Sequence, residues 1–268
     1  MSSSILDAML FGKKSDSLEG RINFWSNFFM NVHYQADPMG EGTGIDSDPS
    51  WNPCAMDCET YVETVVALSF SHNSKEVMNW VDKTRYYEGI RKNSHRFFTM
   101  NLSWIPENVK LGYLKNVNKK ITNIQGKIGH IVVPEAHWSK EWKERFVHMG
   151  KYAPRGLSMV KYIPLSELIG VFKKIPVPSV AFLVGSTQST NPFLITHMGF
   201  ILKNPEGKIV FRHASGTPGR LRVEERDLLE YLKMLKSYFG RKNRRFILGM
   251  DIYQIIPPEN LKSSENLS

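Results

Sequence analysis

Cys58, His197 and His213 are the residues whose types and positions could carry chemistry. Cys58 stands at the start of Asp57-Cys58-Glu59-Thr60-Tyr61-Val62-Glu63-Thr64-Val65-Val66-Ala67-Leu68. Tyr61, Val62, Val65, Val66 and Leu68 follow a helical stripe, and acidic residues cluster where a helix dipole favours them. The β-branched content argues the other way; stripe and acids together predict a helix. A thiol in its first turn has its pKa lowered, and the thiolate is the nucleophilic form. The competing reading makes Cys58 a small buried filler, since free cysteines are often buried.

A thiolate needs a base, and His197 in Thr196-His197-Met198-Gly199-Phe200-Ile201-Leu202 is the candidate. A second histidine, His213, follows in Ile209-Val210-Phe211-Arg212-His213-Ala214-Ser215, beyond the turn sequence Lys203-Asn204-Pro205-Glu206-Gly207. A hairpin symmetric about Pro205 pairs His197 with His213, their Cβ atoms ~5 Å apart on one face. One imidazole then orients the other, as the third member of a triad orients its base. Two unrelated histidines on a half-exposed hairpin are the alternative, and a bulge shifts the register. Zinc is a rival use of Cys54, Cys58, His197 and His213. It is disfavoured because the two histidines are much further apart than the usual finger spacing.

Around these residues the chain is of ordinary globular composition. It has 268 residues, 41% hydrophobic and 23% charged, with 14 Pro and two Cys, which excludes disordered, collagenous and disulfide-stapled classes. Such a length buries roughly three-quarters of its unfolded surface. Cys54 and Cys58, four apart, read as free thiols rather than a bridge. No apolar run approaches the ~20 residues of a membrane span. The net charge of +9 favours an anionic partner. The basic cluster Arg241-Lys242-Asn243-Arg244-Arg245 lacks interleaved aromatics, so nucleic acid is not expected. Ile5–Phe11 is short, contains Asp7 and has no basic residue before it, which does not make a Sec-type signal peptide. Export by another route, a removed leader or cytoplasmic residence are the options.

Segments 26–34, 77–87, 138–149 and 166–173 read as helical. Gln35–Pro53 is a long Gly-, Asp- and Pro-rich loop of the kind that is usually functional or mobile. Ser179–Val184, His197–Leu202, Ile209–His213 and Phe246–Ile256 read as strands. Glu224–Phe239 reads as a helix stopped by Gly240. Helices followed by a strand cluster make an α+β pattern. The expected division is a flexible segment 1–20, a single catalytic domain 21–256 and a polar tail 257–268.

The motifs Asp57-Cys58-x-Thr60-x-Val62-Glu63, His197-x-Gly199-Phe200 and His213-Ala214-Ser215 occur in the order Cys, His, His. In this the chain resembles the cell-wall cysteine hydrolases of the NlpC type, especially their N-acetylmuramoyl-L-alanine amidase-like branch. Tyr34 ahead of Met39-Gly40-Glu41-Gly42 is similar to the branch's tyrosine before a Gly-rich loop. Arg85-Tyr86, His95-Arg96-Phe97-Phe98 and Trp104 resemble its later segments. The resemblance implies a papain-like α+β fold, with the nucleophile helix packed against a mostly antiparallel sheet. It makes Cys58 the nucleophile, His197 the base and His213 its orienting partner, with Tyr34 and the Cys58 N–H stabilising the oxyanion. Asp57, Arg91, His95 and Trp104 would contact substrate. Where the family commonly carries Gly-Asp, this chain has Pro176-Val177-Pro178-Ser179.

The implied activity is thiol-dependent cleavage of an amide in peptidoglycan stem peptides, either N-acetylmuramoyl–L-alanine or a γ-D-glutamyl bond, in the periplasm or cell wall. It needs no cofactor and no metal; its partner is peptidoglycan or a muropeptide, and an immunity or inhibitor protein stays open. Two other readings are a non-catalytic module holding an anionic wall polymer, and thioester acyl transfer to lipid, which would want an exposed apolar segment.

Overall fold

The computed structural model describes residues 3–14, 16–122, 128–186, 192–238 and 247–257. They fall into two compact units, one built from the chain up to Arg96 with Arg212–Glu225, the other from Phe97–Phe211 with Arg226–Ile256.

In the first unit, α1 (Ser3–Gly12) and α2 (Leu18–Phe28) precede β1 (His33–Tyr34), β2 (Ala55–Met56), α3 (Cys58–Phe70) and α4 (Ser74–Arg85). Ser3–Gly12, in the segment expected to fray, is helical. Leu6 and Leu10 are buried, and the Asp7 carboxylate accepts the Ser74 N–H at 2.6 Å. The helix expected over 57–68 is α3, buried at every position from Thr60 to Phe70. A helix buried on all sides lies within the core, and its polar Glu63 is paired there with Arg85. At about 1.5–3 kcal/mol per large apolar side chain, burying Val62, Val65 and Leu68 outweighs the weak helix preference of valine.

From Phe97 the chain continues through α5 (Ile105–Lys110), β3 (Leu114–Asn116), α6 (Asn118–Thr122), β4 (Gly129–Val133) and α7 (Glu135–Phe146). It goes on through β5 (Ser158–Pro164), α8 (Leu165–Val171), β6 (Ser179–Gly185), β7 (Ile195–Lys203) and β8 (Ile209–Ser215). β9 (Arg222–Asp227), α9 (Leu228–Ser237) and β10 (Ile247–Ile255) complete it. β7, β6, β10, β5 and β4 lie side by side and antiparallel, with β3 also on β10. In the first unit β2, β1, β9 and β8 are neighbours in that order, and β1 and β2 run parallel. The fold is thus α+β, with a large, mostly antiparallel sheet. Leu165, Leu168, Leu228 and Leu232 from the helices pack with Leu183 and Ile252 in one apolar core.

Three expectations are corrected. The helix expected over 26–34 is not formed there: α2 ends at Phe28, and His33 and Tyr34 are in β1. The segment expected to open a helix at Glu224 is strand up to Asp227. Asp227 then caps α9 by accepting the Glu230 N–H at 3.0 Å. Phe239, Gly240 and the basic cluster at 241–245 lie outside the described residues. The β7–β8 turn is not symmetric about Pro205. Gly207 donates to the Asn204 carbonyl and Asn204 to the Lys208 carbonyl, both at 2.9 Å. Gly207 takes φ +78, which side-chain-bearing residues rarely adopt. That bulge glycine pairs Asn204 with Lys208 rather than centring the turn on Pro205.

One buried acid sits in the second unit. Asp251 on β10 is 5% exposed and accepts the side-chain amides of Asn116 at 2.7 Å and Asn118 at 2.8 Å, and the Tyr253 hydroxyl at 3.1 Å. Burial raises its pKa to about 6, against the lowering effect of these hydrogen bonds. A carboxyl raised on folding favours the protonated native state, so its contribution to stability falls as pH climbs from 3.8 towards 6 and is flat above. The rise corresponds to about 3 kcal/mol. Urea unfolding followed from pH 4 to 7.5 should show this decline, and Asp251→Asn should remove it.

Candidate active site

The first unit assembles a site around the N-terminus of α3. Asp57 is its cap: Oδ1 accepts the Thr60 N–H and the Thr60 hydroxyl, both at 2.8 Å, and the Thr60 hydroxyl accepts the Asp57 N–H at 3.0 Å. Reciprocal capping of this kind stabilises the first turn by about 1 kcal/mol. Oδ2 accepts the Asp37 N–H at 3.3 Å. The side chain expected to meet substrate is thus taken up in holding the turn that carries Cys58. Cys58 is half-buried at the first position of α3, while Cys54 is exposed in the loop before it. Neither is in a disulfide.

Tyr34 reaches this turn through β1, whose parallel pairing with β2 sets Tyr34 beside Met56. Its N–H donates to the Leu221 carbonyl at 2.9 Å. Burial, then the negative charges of Cys58 and Asp57, raise its pKa, so the phenol stays protonated and can donate to a developing anion. Gly216 makes room for the ring, since a Cβ there would lie 2.8 Å from Tyr34 Cζ and 3.0 Å from Oη.

Beneath the turn, Glu63 and Arg85 form a buried ion pair, with Nε–Oε2 at 2.9 Å and Nη2–Oε2 at 2.8 Å. Burial alone would lower the Arg85 pKa, but the Glu63 carboxylate more than offsets it and the guanidinium stays charged. Glu59, beside Cys58, keeps some exposure as a residue. Even so, burial, with Glu63 and Asp57 nearby, holds its carboxyl well above the usual range.

The loop Gln35–Pro53 is strapped by Arg96. Its Nη2 meets Glu41 Oε1 at 2.7 Å and Asp46 Oδ2 at 2.8 Å. The Tyr86 hydroxyl adds a bond to Glu41 Oε1 at 3.1 Å. Gly40 is required there, because a Cβ would come within 2.2 Å of Asp46 Oδ1. Both ends of this loop lead into the site, at Tyr34 and at Cys58.

His213 is buried on β8, its Nε2 3.6 Å from Glu224 Oε1, an ion-pair distance once the ring is protonated. Its neighbour Arg212 is anchored to Glu225 at 3.0 Å and to the Ser26 hydroxyl at 2.6 Å. Arg91 is engaged with both Asp82 carboxylate oxygens at 2.9 Å, and His95 Nδ1 lies 3.0 Å from the Ser94 hydroxyl. His197 and Trp104 belong to the second unit. Burial lowers the half-buried His197 to a pKa of about 4, so its imidazole is neutral at physiological pH. Trp104 is 1% exposed and packs edge-on against Phe182 at 5.7 Å, which leaves it no face for substrate.

Sequence reasoning missed Glu224 opposite His213, Gly216 under Tyr34, and the Arg96 strap. Only the acidic content of the loop hinted at the last. Among the described residues, no group of three or more His, Cys, Asp or Glu could hold a metal. No helix among them is long and apolar enough to cross a membrane.

A model of the AmiA-like family, described as N-acetylmuramoyl-L-alanine amidase-like, matches residues 24–238. The chain belongs to that family. A DUF1460-family protein of Legionella pneumophila str. Philadelphia 1 superposes with a TM-score of 0.80 at 24% identity, covering 95% of this chain and 94% of its own. An N-acetylmuramoyl-L-alanine amidase from Bacteroides uniformis gives 0.66 at 18% identity, covering 89% and 99%. A Bacteroides fragilis protein provisionally named a xylanase gives 0.64 at 20% identity, covering 87% and 100%. At these identities the likeness shows a shared fold, and a shared fold does not fix chemistry. No curated protein matches the chain. Family membership points to a hydrolase acting on peptidoglycan.

Proposed function

We propose that this AmiA-like chain is a thiol-dependent amidohydrolase of peptidoglycan stem peptides, with a papain-like arrangement of its nucleophile helix and sheet. The observation that carries the reading is Cys58 at the capped N-terminus of α3 with the protonated Tyr34 phenol beside it. The Cys58 sulfur bonds to the carbonyl carbon as His197 takes the thiol proton. The oxyanion accepts from Tyr34 and the Cys58 N–H, and the C–N bond breaks as the imidazolium protonates the leaving amine. Water then attacks the thioester while the neutral imidazole takes its proton, releasing a carboxylate and restoring the thiol. The bond cleaved is the N-acetylmuramoyl–L-alanine amide or a γ-D-glutamyl amide. The site of action is the periplasm or cell wall.

Digestion of purified sacculi, with fragments identified by mass spectrometry, tests the reading and names the bond. A protein that only binds an anionic wall polymer would release nothing. In it, iodoacetamide would label Cys58 no faster than Cys54.

The 3.6 Å approach of Glu224 to His213 favours a second assignment, in which His213 is the base and Glu224 orients it. Under the main reading His197→Ala loses far more activity than His213→Gln; the reverse order makes His213 the base. Gly216→Ala should displace the Tyr34 ring and lower kcat on a muropeptide. The loss should approach that of Tyr34→Phe, which is expected at roughly 10²-fold for one oxyanion donor. Matching unfolding curves for wild type and Gly216→Ala would assign the loss to geometry rather than folding.

A further inference from the structure

The second unit contains a cavity of about 570 Å³ that the hydrolase reading does not use. Its floor is polar. Asp251 lines it with Asn116, Asn118 and Tyr253, and Lys119 and Lys161, both exposed, stand among its other lining residues. Ile105, Pro106, Val109 and Met159 give it an apolar side. We propose that this cavity binds a small zwitterion, an amino acid or short peptide, with its ammonium on Asp251 and its carboxylate on Lys119 and Lys161.

The hydrogen bonds decide the polarity of the floor. The Asn116 side-chain oxygen accepts the Asn118 N–H at 3.1 Å, and the Asn118 oxygen accepts the Ile252 N–H at 3.0 Å. Both amide oxygens are therefore spent on backbone, and both amide nitrogens turn to Asp251. The Asp251 carboxylate receives these hydrogen bonds from three side chains, and the Ile252 backbone N–H also favours its ionised form. It is the only carboxylate among the lining residues, and its near neighbours on β3, α6 and β6 supply Asn116, Asn118 and the register partner Phe182, none of them cationic. An ammonium entering the cavity would supply the missing counter-charge and stabilise the ionised acid.

A ligand that is only cationic meets two lysines among the lining residues, and one that is only anionic meets Asp251. A zwitterion satisfies both, and the apolar side suits small aliphatic side chains. The volume lies within the usual range for small-molecule sites. This inference does not depend on Cys58 being a nucleophile.

Calorimetry on the full chain with L-alanyl-L-alanine, N-acetyl-L-alanyl-L-alanine and L-alanyl-L-alaninamide tests it. Saturable binding of the free dipeptide is expected, at least 10-fold weakened by N-acetylation and by Asp251→Asn. Amidation, and the double substitution Lys119→Ala/Lys161→Ala, should each weaken it several-fold and should not compound. The lysines are exposed, so the double variant reports on binding even if Asp251→Asn folds poorly. No saturable binding of the free dipeptide, or equal binding of the acetylated one, would overturn the proposal. Release of fragments from sacculi would be unaffected by that failure.

Discussion

Cys58→Ala is expected to lower kcat/KM on stem-peptide substrates by roughly 10⁴-fold or more, while leaving the unfolding midpoint within a few degrees of wild type. The argument is chemical. The proposed reaction passes through a bond to sulfur, and a methyl group cannot form it. Structurally the change is small, because Cys58 is half-buried and the α3 cap is made by Asp57 and Thr60. Cys58→Ser keeps the size and a nucleophilic atom but loses the acidity of a thiol, so it should also be severely impaired. Cys54→Ala, in the exposed loop, should be indistinguishable from wild type and serves as the thiol control.

The largest effect on stability is expected at the ion pair under the same helix. Glu63 and Arg85 have side chains 0% and 4% exposed. Taking one partner away strands the other charge in the interior, which typically costs about 3–5 kcal/mol. Arg85→Met should therefore lower the melting temperature by roughly 6–15 °C. Adding Glu63→Leu to it should recover much of the loss, since a well-packed apolar pair can replace a buried ion pair. Chemical unfolding of the single and double variants measures both. A loss below about 1 kcal/mol for Arg85→Met would show that water reaches the pair.

What the sequence disclosed follows from how local each signal was. α3 was readable because its apolar stripe, its acids and the Asp57–Thr60 spacing all lie within one segment. The β6 to β8 strands were readable as apolar runs between turn residues. β9 was mistaken for the start of a helix because Arg222-Val223-Glu224-Glu225-Arg226-Asp227 carries one apolar residue and runs directly into α9. β4 and β5 went unseen: β4 is five residues with only Val133 buried, and β5 alternates buried Ser158 and Val160 with exposed Met159 and Lys161. In the site, Cys58 could be picked out by type and position, and Tyr34 only through the family resemblance. The contacts that hold them could not, since Arg96 reaches back 50 residues to Asp46 and Gly216 clears space for Tyr34 from the far end of the chain. Asp57 shows a further limit: its position before the nucleophile is plain, yet only the hydrogen bonds reveal it as a cap.

The most direct measurement is intact-mass spectrometry of the protein quenched during turnover of a synthetic stem-peptide substrate, followed by peptide mapping. The account predicts a thioester adduct equal in mass to the acyl portion, confined to the peptide containing Cys58 and discharged by hydroxylamine. Hydrolysis that continues in Cys58→Ala, or an adduct carried on any other residue, would contradict it.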